Sequence, residues 1–407
     1  MRLLPALAAL AVAACAPGTS LPAPRAAVRP GVEVFLASPP AALRGKRIGL
    51  VTNQTGVDRA GTSTIDRLAA APEMKLVALF SPEHGIRGAA APGERVASGT
   101  DPRTGLPIHS LYGETRKPTP EMLRGVDALV FDIQDVGSRT YTYIYTLALT
   151  MQAAAEAHIP YVVLDRPNPI GGTVVEGNLL DTAYASFVGM YPLPVRHGMT
   201  VGELARLYNR EFGIGADLTV IPAEGWRRDV WFDATGLPWV APSPNIPRLE
   251  SAVHYPGTVF YEGTNLSSGR GSDHPFEQVG APWLRSGEVA RTMNAMRLPG
   301  VRFEEVDFTP HAPGDGKYAD TLVHGVRLVA TDRATYRPVA ASLLLLETIR
   351  RTHPGDFRWL PSHFDRLAGT DRMRKAVDAG TVRGLLREWD ADAERFRRTR
   401  QPYLLYP

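Results

Sequence analysis

The sequence predicts an α/β fold in which a mostly parallel sheet forms a first lobe and a smaller α/β lobe follows. A short apolar run, a polar loop and a helical stretch recur four times, which is typical of a parallel sheet wound with helices. Charged residues gather directly after each apolar run, at the edge where open α/β sheets bind ligands. The 407 residues exceed what one hydrophobic core usually serves, so we expect an active site in a cleft between two lobes.

The strands of the first lobe are predicted from apolar runs at residues 47–52, 75–80, 127–132 and 161–165. Helices are expected at 62–70 and 143–157. The segment 89–120 is rich in Pro, Gly and Thr and is expected to pass over the rim of the site.

A capping box, Thr200 followed by Glu203, predicts a helix over 201–212, and a further strand is expected at 218–221. Beyond residue 283 the pattern becomes α+β, with strands predicted at 301–308 and 321–331 and helices at 339–351, 362–367, 370–379 and 381–396. The apolar end, 403–406, is expected to dock onto the body. We place the first lobe at 32–250 and the second at 251–407.

Composition and missing motifs exclude several functions. A formal net charge of +3 and 21% charged residues do not indicate a nucleic-acid partner. The sequence has no G-x-G-x-x-G, no P-loop, no G-x-S-x-G elbow and no H-E-x-x-H. We therefore predict neither a cofactor nor a metal.

The N-terminus has the pattern of an export signal that becomes lipidated. Arg2 precedes a short apolar stretch that ends in Val-Ala-Ala-Cys, which resembles a bacterial lipobox with Cys15 as the modified residue. Because Cys15 is the only cysteine, an internal disulfide is impossible. The expected organisation is a signal peptide at 1–15 and a tether at 16–31, in a periplasmic or cell-envelope lipoprotein that touches the membrane through its lipid alone. The alternative is an ordinary cleaved signal peptide.

The loop after the second predicted strand, SPEHGIRG, carries three ionisable side chains on a short constrained segment. Pro82 and the two glycines restrict or bend the backbone around Glu83, His84 and Arg87. A carboxyl group beside an imidazole and a guanidinium can do acid/base work or bind an anion. Alternatively, Glu83 caps the following segment and His84 packs against the sheet.

A second polar loop, YEGTNLSSGRG, places Glu262, Asn265 and Arg270 on a Gly-rich backbone. Two carboxyl loops that face one cleft would supply the acid pair that glycoside cleavage requires. The alternative for Glu262 is a structural ion pair with Arg270.

Seven motifs carry a resemblance to a known family: SPEHGIRG, FDIQDVGSRTYTYIYTL, LDRPNPIGG, EGNLL, SPNIP, YEGTNLSSGRGSDHPFEQVGAPW and PYLLY. Over residues 32–407 the chain resembles the bacterial exo-β-N-acetylmuramidases, glycoside hydrolases once classed as a domain of unknown function. The resemblance implies a Rossmann-like N-terminal lobe, a smaller α/β C-terminal lobe and the release of terminal β-1,4-linked N-acetylmuramic acid from peptidoglycan fragments. It implies that Glu83 is the catalytic acid and Glu262 its partner.

The motif loops also provide candidate substrate contacts. The lactyl carboxylate of N-acetylmuramic acid calls for a cation, and the candidates are Arg87, Arg139, Arg166 and Arg270. The other predicted contacts are His84, Asp132, Gln134, Asp135, Tyr143, Asp165, Asn168 and Asn265. If the 2-acetamido group of the sugar takes part in the reaction, Asp132 or Asp135 is the residue expected to orient it.

Two other classes of function remain open at the level of sequence. A lipid-anchored protein could capture muropeptides without cutting them, and turnover of an N-acetylmuramic acid glycoside separates that function from catalysis. An esterase or amidase that acts on cell-wall substituents would release acetate or peptide, but the sequence lacks its nucleophile motif.

Overall fold

The computed structural model describes residues 27–88, 90 and 93–407. The predicted signal peptide, Cys15 and most of the predicted tether lie outside these residues. The end of the tether is packed: Val28 is buried, and the backbone of Arg29 pairs with that of Glu224. The packed chain therefore begins before Val32. No helix in the described ranges is long and apolar enough to cross a membrane.

The strands are β1 (Arg47–Thr52), β2 (Lys75–Ser81), β3 (Gly99–Thr100), β4 (Pro107–Ser110), β5 (Ala128–Asp132), β6 (Tyr161–Leu164), β7 (Glu176–Leu179), β8 (Pro194–Arg196), β9 (Leu218–Ile221), β10 (Gln278–Ala281), β11 (Val301–Phe308) and β12 (Val323–Ala330). The helices are α1 (Gly31–Ala37), α2 (Thr64–Ala69), α3 (Tyr143–Glu156), α4 (Val201–Glu211), α5 (Leu249–Thr258), α6 (Ser286–Ala295), α7 (Pro338–Thr352), α8 (Pro361–Ala368), α9 (Arg372–Ala379) and α10 (Val382–Arg400).

The first lobe is built on a seven-stranded sheet in the order β3-β4-β2-β1-β5-β6-β9. Every neighbouring pair is parallel except β3 and β4. The predicted apolar runs form the central strands because helices and loops cover both faces of the sheet; β5 is buried along its whole length. The carboxyl ends of β2, β1, β5 and β6 therefore lie side by side. The predicted α/β fold is confirmed.

The second lobe contains a three-stranded antiparallel sheet, β10-β12-β11, against which α6 packs, and helices α7 to α10 follow the sheet in the chain. The chain then returns to the first lobe. The Tyr406 hydroxyl donates to Asp165 at 2.6 Å, and the Tyr406 ring packs edge-on against Trp226 at 4.9 Å between ring centroids. The predicted docking of the apolar C-terminal end is confirmed.

The segment before Glu262 is helical although it contains Pro and Gly. It forms α5, which contains Pro256 and continues into a 3₁₀ turn over Val259–Gly263. A Cβ added at Gly257 would lie 2.1 Å from the Pro338 carbonyl oxygen, so the missing side chain lets α5 pack directly on α7. Tertiary packing thus outweighs the tendency of Pro and Gly to end a helix.

Candidate active site

A cavity of about 310 Å³ lies between the two lobes. From the first lobe it is lined mainly by Glu83, His84, Tyr112, Thr140, Tyr141 and Thr142. From the second lobe it is lined mainly by Tyr255, Glu262, Arg270, Phe276, Asp315 and His363. The two motif loops singled out in the sequence therefore meet at one cavity, and both predicted catalytic carboxyl groups border it.

Glu83 follows β2 and is held by donors from three different segments. One carboxylate oxygen accepts the Gly93 N–H at 2.9 Å, and the other accepts the Thr142 hydroxyl at 2.8 Å. The Tyr112 hydroxyl also bonds Glu83; burial first, and then the charge of Glu83, raises the pKa of Tyr112 to about 12. These contacts fix the carboxyl group at the cavity wall while leaving it half-buried.

His84 and Arg87 on the same loop have different environments. His84 is buried, has a positive φ of 69°, and its Nδ1 lies 2.9 Å from the Ala90 carbonyl oxygen. It lines the cavity, but this contact also ties it to the excursion after β2. Arg87 does not line the cavity and instead pairs at 2.7 Å with Asp101, which is fully buried. We assign Arg87 to the scaffold of the loop.

Glu262 and Arg270 form the ion pair that the alternative interpretation anticipated, and the pair itself borders the cavity. Arg270 Nε donates to Glu262 Oε1 at 2.6 Å, and both side chains are about 15% exposed (15% and 16%). The guanidinium carbon also lies 5.0 Å from the centre of the Phe276 ring. These contacts hold the pair at the wall of the same cavity that Glu83 borders.

Lys317 fixes the backbone that carries Glu262, a role not predicted from the sequence. Its Nζ donates to the carbonyl oxygens of Tyr261 at 3.2 Å, Glu262 at 3.1 Å and Leu266 at 3.1 Å. Its side chain is 15% exposed, and burial lowers its pKa against the opposing effect of Asp315. One ammonium group thus holds both ends of the turn.

We predict that Lys317→Met lowers kcat/KM about 10²-fold, because three carbonyl oxygens lose their donor and the Glu262 turn loses its fixed position. Steady-state kinetics measure the loss. Lys375→Met is the matched control, since Lys375 is exposed and its ammonium group forms an ion pair with nearby Asp371. Equal activity of Lys317→Met and the control would contradict this role.

Asp132, at the end of β5, forms an ion pair with Arg166, which follows β6. Neither residue lines the cavity. Arg166 Nε donates to Asp132 at 2.5 Å and Nη2 donates to it at 2.9 Å; the two side chains are 4% and 0% exposed. Gln134 donates to the carbonyl oxygens of Asp135 and Pro167. The segment Phe232–Val240 covers Gln134 and Arg166, which border only a small void beneath it. This placement argues against direct sugar contact.

Asp165 and Asn168 belong to the same buried network. Asp165 accepts hydrogen bonds from the Thr200 hydroxyl at 2.7 Å and the Gly202 N–H at 2.8 Å, and burial raises its pKa to about 6. Asn168 donates to the Met199 carbonyl oxygen at 2.9 Å. Both side chains connect the end of β6 to the start of α4, and neither lines the cavity.

Three further predicted contacts also make structural bonds away from the cavity. Arg139 is fully buried and donates to four carbonyl oxygens, two of them in α8 of the second lobe; burial lowers its pKa to about 10. The Tyr143 hydroxyl donates to the Pro242 carbonyl oxygen at 2.6 Å. Asn265 exchanges hydrogen bonds with the backbone at Asp356 and Arg358. Arg139 thus holds the lobes together and does not supply a free cation to the cavity.

Asp135 is buried below the cavity wall with an incomplete set of partners. One of its oxygens accepts the Gly137 N–H at 2.6 Å, and the other has no hydrogen-bond partner among the residues that the structure describes. Burial raises its pKa to about 7. The nearby His197, 3.9 Å away, is uncharged near neutral pH because burial lowers its pKa to about 3.

We predict that Asp135→Asn makes folding stability less dependent on pH. Between about pH 4 and pH 7 the folded protein keeps a proton on Asp135 that the unfolded chain has lost, so this group's stabilising contribution falls as pH rises through its folded pKa. Urea unfolding at about pH 5 and about pH 8 measures the effect. The variant should gain up to a few kcal/mol relative to the parent protein at the higher pH. If the free energies of unfolding of the variant and the parent protein differed by the same amount at both pH values, the prediction would be contradicted.

Several cavity residues were not identified from the sequence. Tyr141 and Thr142 lie within a recognised motif and directly precede α3. This helix begins just after the loop that follows a predicted strand, and that position could have identified both residues as candidates for the site. His363 lies on α8, far along the chain, and no local pattern marks it. Among the residues that the structure describes, no cluster of three or more His, Cys, Asp or Glu could hold a metal ion.

Comparison with known proteins extends over both lobes. Family models described as "Exo-beta-N-acetylmuramidase NamZ, N-terminal" and "C-terminal" match residues 48–250 and 253–406. A Bacillus subtilis protein named peptidoglycan beta-N-acetylmuramidase NamZ is 50% identical over 381 residues, which cover 93% of this chain and 91% of that protein.

Two crystal structures of DUF1343 family proteins from Bacteroides fragilis share the architecture. They superpose with TM-scores of 0.85 and 0.76 at 36% and 34% identity. The matches cover 95% and 94% of this chain and 100% and 99% of theirs. The resemblance inferred from the motifs is confirmed, and the chain belongs to the exo-β-N-acetylmuramidase NamZ family.

Proposed function

We propose that this protein is an exo-acting glycosidase that releases terminal β-1,4-linked N-acetylmuramic acid from the non-reducing end of peptidoglycan fragments. One observation carries the proposal: Glu83 and Glu262 border the same cavity between the lobes. Its volume of about 310 Å³ is at the small end of ligand pockets and suits one sugar better than a long glycan. The activity named for the Bacillus relative supports the same chemistry.

The electrostatic surroundings divide the roles of the two carboxyl groups. Glu262 is bonded to the cationic side chain of Arg270, whereas the donors to Glu83 from Thr142, Gly93 and Tyr112 are uncharged. We therefore assign the acid to Glu83: its proton passes to the glycosidic oxygen as the bond from that oxygen to the anomeric carbon breaks. Glu262 is the second carboxyl group, which faces the anomeric carbon of the reacting sugar.

The stereochemical course narrows the role of the Glu262 carboxylate. Attack on the anomeric carbon by Glu262 or by the 2-acetamido group of the sugar gives a retained product, and activation of a water by Glu262 gives an inverted one. Proton NMR of the first anomer released distinguishes the two courses before mutarotation mixes the anomers.

Recognition of the lactyl group is assigned to Arg270, the member of the predicted arginine set that borders the cavity. Because Arg270 donates to Glu262 through Nε and Nη2, the remaining N–H groups are the ones available to a carboxylate. N-acetylglucosamine lacks the lactyl group and should be a poor substrate.

Turnover of 4-nitrophenyl glycosides tests this function. The β-N-acetylmuraminide should be cleaved, and the matched β-N-acetylglucosaminide should react at least about 10²-fold more slowly. Absence of turnover on the muraminide and on a muramyl disaccharide would refute catalysis and favour the binding-protein alternative. Release of acetate or peptide in place of sugar would favour the esterase or amidase alternative.

We also propose that the protein is exported and lipidated on Cys15, and that it acts in the cell envelope on cell-wall fragments during recycling. The proposal rests on the apolar stretch that ends in Val-Ala-Ala-Cys and on the single cysteine. In a bacterial host, the parent protein should be found with the membrane fraction and Cys15→Ser should not. Equal membrane association of the two proteins would overturn the proposal.

A further inference from the structure

Arg116 is an exposed cation held against two aromatic rings beside the cavity. Its guanidinium carbon lies 4.1 Å from the centre of the Phe187 ring and 5.6 Å from the centre of the Tyr112 ring. These two rings, which we call the aromatic platform, are 6.0 Å apart between centroids. Arg116 forms no ion pair with any residue that the structure describes, so its N–H groups remain available to a ligand.

A tight turn connects the aromatic platform to the wall of the cavity. The backbones of Ser186 and Gly189 exchange hydrogen bonds at 2.8 and 3.0 Å, which places Phe187 and Val188 at the tip of the turn. Val188 lines the cavity, whereas the Phe187 ring packs against Tyr145 of α3 at 6.4 Å between centroids. Both rings of the platform are partly buried, so they present the guanidinium from a fixed support.

Tyr112 connects Arg116 with the proposed acid. Its hydroxyl bonds Glu83, and the positive charge of Arg116 opposes the larger effect of burial on the pKa of Tyr112. Arg270, which we assign to the lactyl group of the reacting sugar, stands instead at the other carboxyl group, Glu262. Because the acid meets the glycosidic oxygen, a cation on the Glu83 side is placed for the leaving part of the substrate.

The chemistry of the leaving part limits what an exposed guanidinium can bind there. A guanidinium is best matched by a carboxylate, which it can hold through two parallel hydrogen bonds. The sugars of peptidoglycan alternate, so the first leaving residue is N-acetylglucosamine, which has no carboxylate. The second is again N-acetylmuramic acid, whose lactyl group is either a free carboxylate or the attachment point of a peptide stem that carries carboxylates of its own.

We propose that Arg116 binds a carboxylate on the second leaving residue of the glycan, and that the enzyme therefore prefers acidic fragments longer than a disaccharide. The inference rests on the proposed glycosidase function with Glu83 as the acid. The cavity suits one sugar, so the leaving residues must lie outside it, where the exposed Arg116 is accessible. The stacked guanidinium is already ordered, which reduces the entropy lost on binding.

The test compares trisaccharides that begin with N-acetylmuramic acid and N-acetylglucosamine and differ in the third residue. That residue is N-acetylglucosamine, N-acetylmuramic acid with a free lactyl group, or N-acetylmuramic acid with a stem peptide. The parent protein should cleave at least one acidic trisaccharide with a kcat/KM about 5- to 20-fold above that of the neutral one. Arg116→Met should remove this preference and leave kcat/KM on the neutral trisaccharide and the disaccharide unchanged. In the parent protein the preference should shrink as NaCl is raised from about 0.05 M to about 0.5 M.

The substrate on which Arg116→Met loses activity identifies the source of the carboxylate. A loss confined to the free-acid trisaccharide assigns the contact to the lactyl group, and a loss confined to the peptide-bearing one assigns it to the stem. Arg124→Met is the matched control, because Arg124 is also exposed and does not line the cavity, and it should keep the preference. If Arg116→Met and the parent protein show the same ratios of kcat/KM among the three trisaccharides, this inference alone fails. If the parent protein cleaves no muramyl substrate, the proposed function fails.

Discussion

Glu83→Gln is expected to lower kcat on a muramyl disaccharide by about 10²- to 10⁴-fold, because glutamine keeps the shape of the side chain but has no proton to give to the leaving oxygen. The amide oxygen of Gln can still accept the Gly93 N–H, and its NH₂ group can donate to the Thr142 hydroxyl oxygen, so the melting temperature should change little. Initial rates of sugar release, together with thermal unfolding of the same samples, measure the two effects.

The leaving group provides an internal check on the role of Glu83. 4-Nitrophenolate leaves without protonation, so Glu83→Gln should lose much less activity on a 4-nitrophenyl glycoside than on a disaccharide. Glu156→Gln is the control, because Glu156 is exposed and pairs with Lys117 on the surface. Equal losses on both substrates would contradict an acid role and would instead indicate that Glu83 binds or positions the sugar.

Arg166→Met is expected to lower the free energy of unfolding by about 3–5 kcal/mol, the largest stability effect that we predict. The substitution leaves the carboxylate of Asp132 buried with 0% exposure and without its cation. Urea denaturation at constant pH measures the loss. The double variant Asp132→Asn with Arg166→Met should recover part of it, because the uncompensated charge is gone.

Activity of the folded Arg166→Met protein separates a scaffold role from the substrate contact that the sequence suggested. Arg166 also donates to the Val57 carbonyl oxygen at 2.8 Å and lies beneath the segment Phe232–Val240. We therefore expect kcat/KM to stay within a few-fold of the parent value at a temperature where the variant is folded. A stable variant with a large loss of substrate affinity would show that Arg166 contacts the sugar.

The positions of the strands and of the two acidic loops were accessible from the sequence, because each depends on local pattern. An apolar run bounded by Pro or polar residues predicts β1 and β2, and the polar residues after β2 must then stand at the edge of the sheet. Glu83 was identified by this argument. Glu262 was identified by its Gly-rich loop and by the family motif.

The loops after β5 and β6 follow the same local pattern but do not reach the cavity. Their charged side chains, Asp132 and Arg166, pair with each other because β5 and β6 are adjacent in the sheet. Phe232 to Val240, distant in sequence, then covers them. Strand order and the path of a remote loop are tertiary properties, so no local pattern distinguishes these loops from the one that carries Glu83.

The cavity wall also depends on contacts between distant segments. Lys317 reaches the Glu262 turn from a loop more than 50 residues later (its bonds span 51 to 56 residues), and His363 approaches from α8. Contacts between residues so far apart in the sequence leave no periodic pattern from which they could be predicted.

A crystal structure of Glu83→Gln with a bound muramyl disaccharide tests the central claim most directly. The N-acetylmuramic acid ring should occupy the cavity between the lobes, with residue 83 at hydrogen-bond distance from the glycosidic oxygen and Glu262 facing the anomeric carbon. The carboxyl positions at 83 and 262 should lie either about 5 Å or roughly 6.5–9.5 Å apart across the bond. A sugar bound elsewhere, or bound here with its glycosidic bond beyond the reach of both side chains, would contradict the assignment of these two glutamates to catalysis.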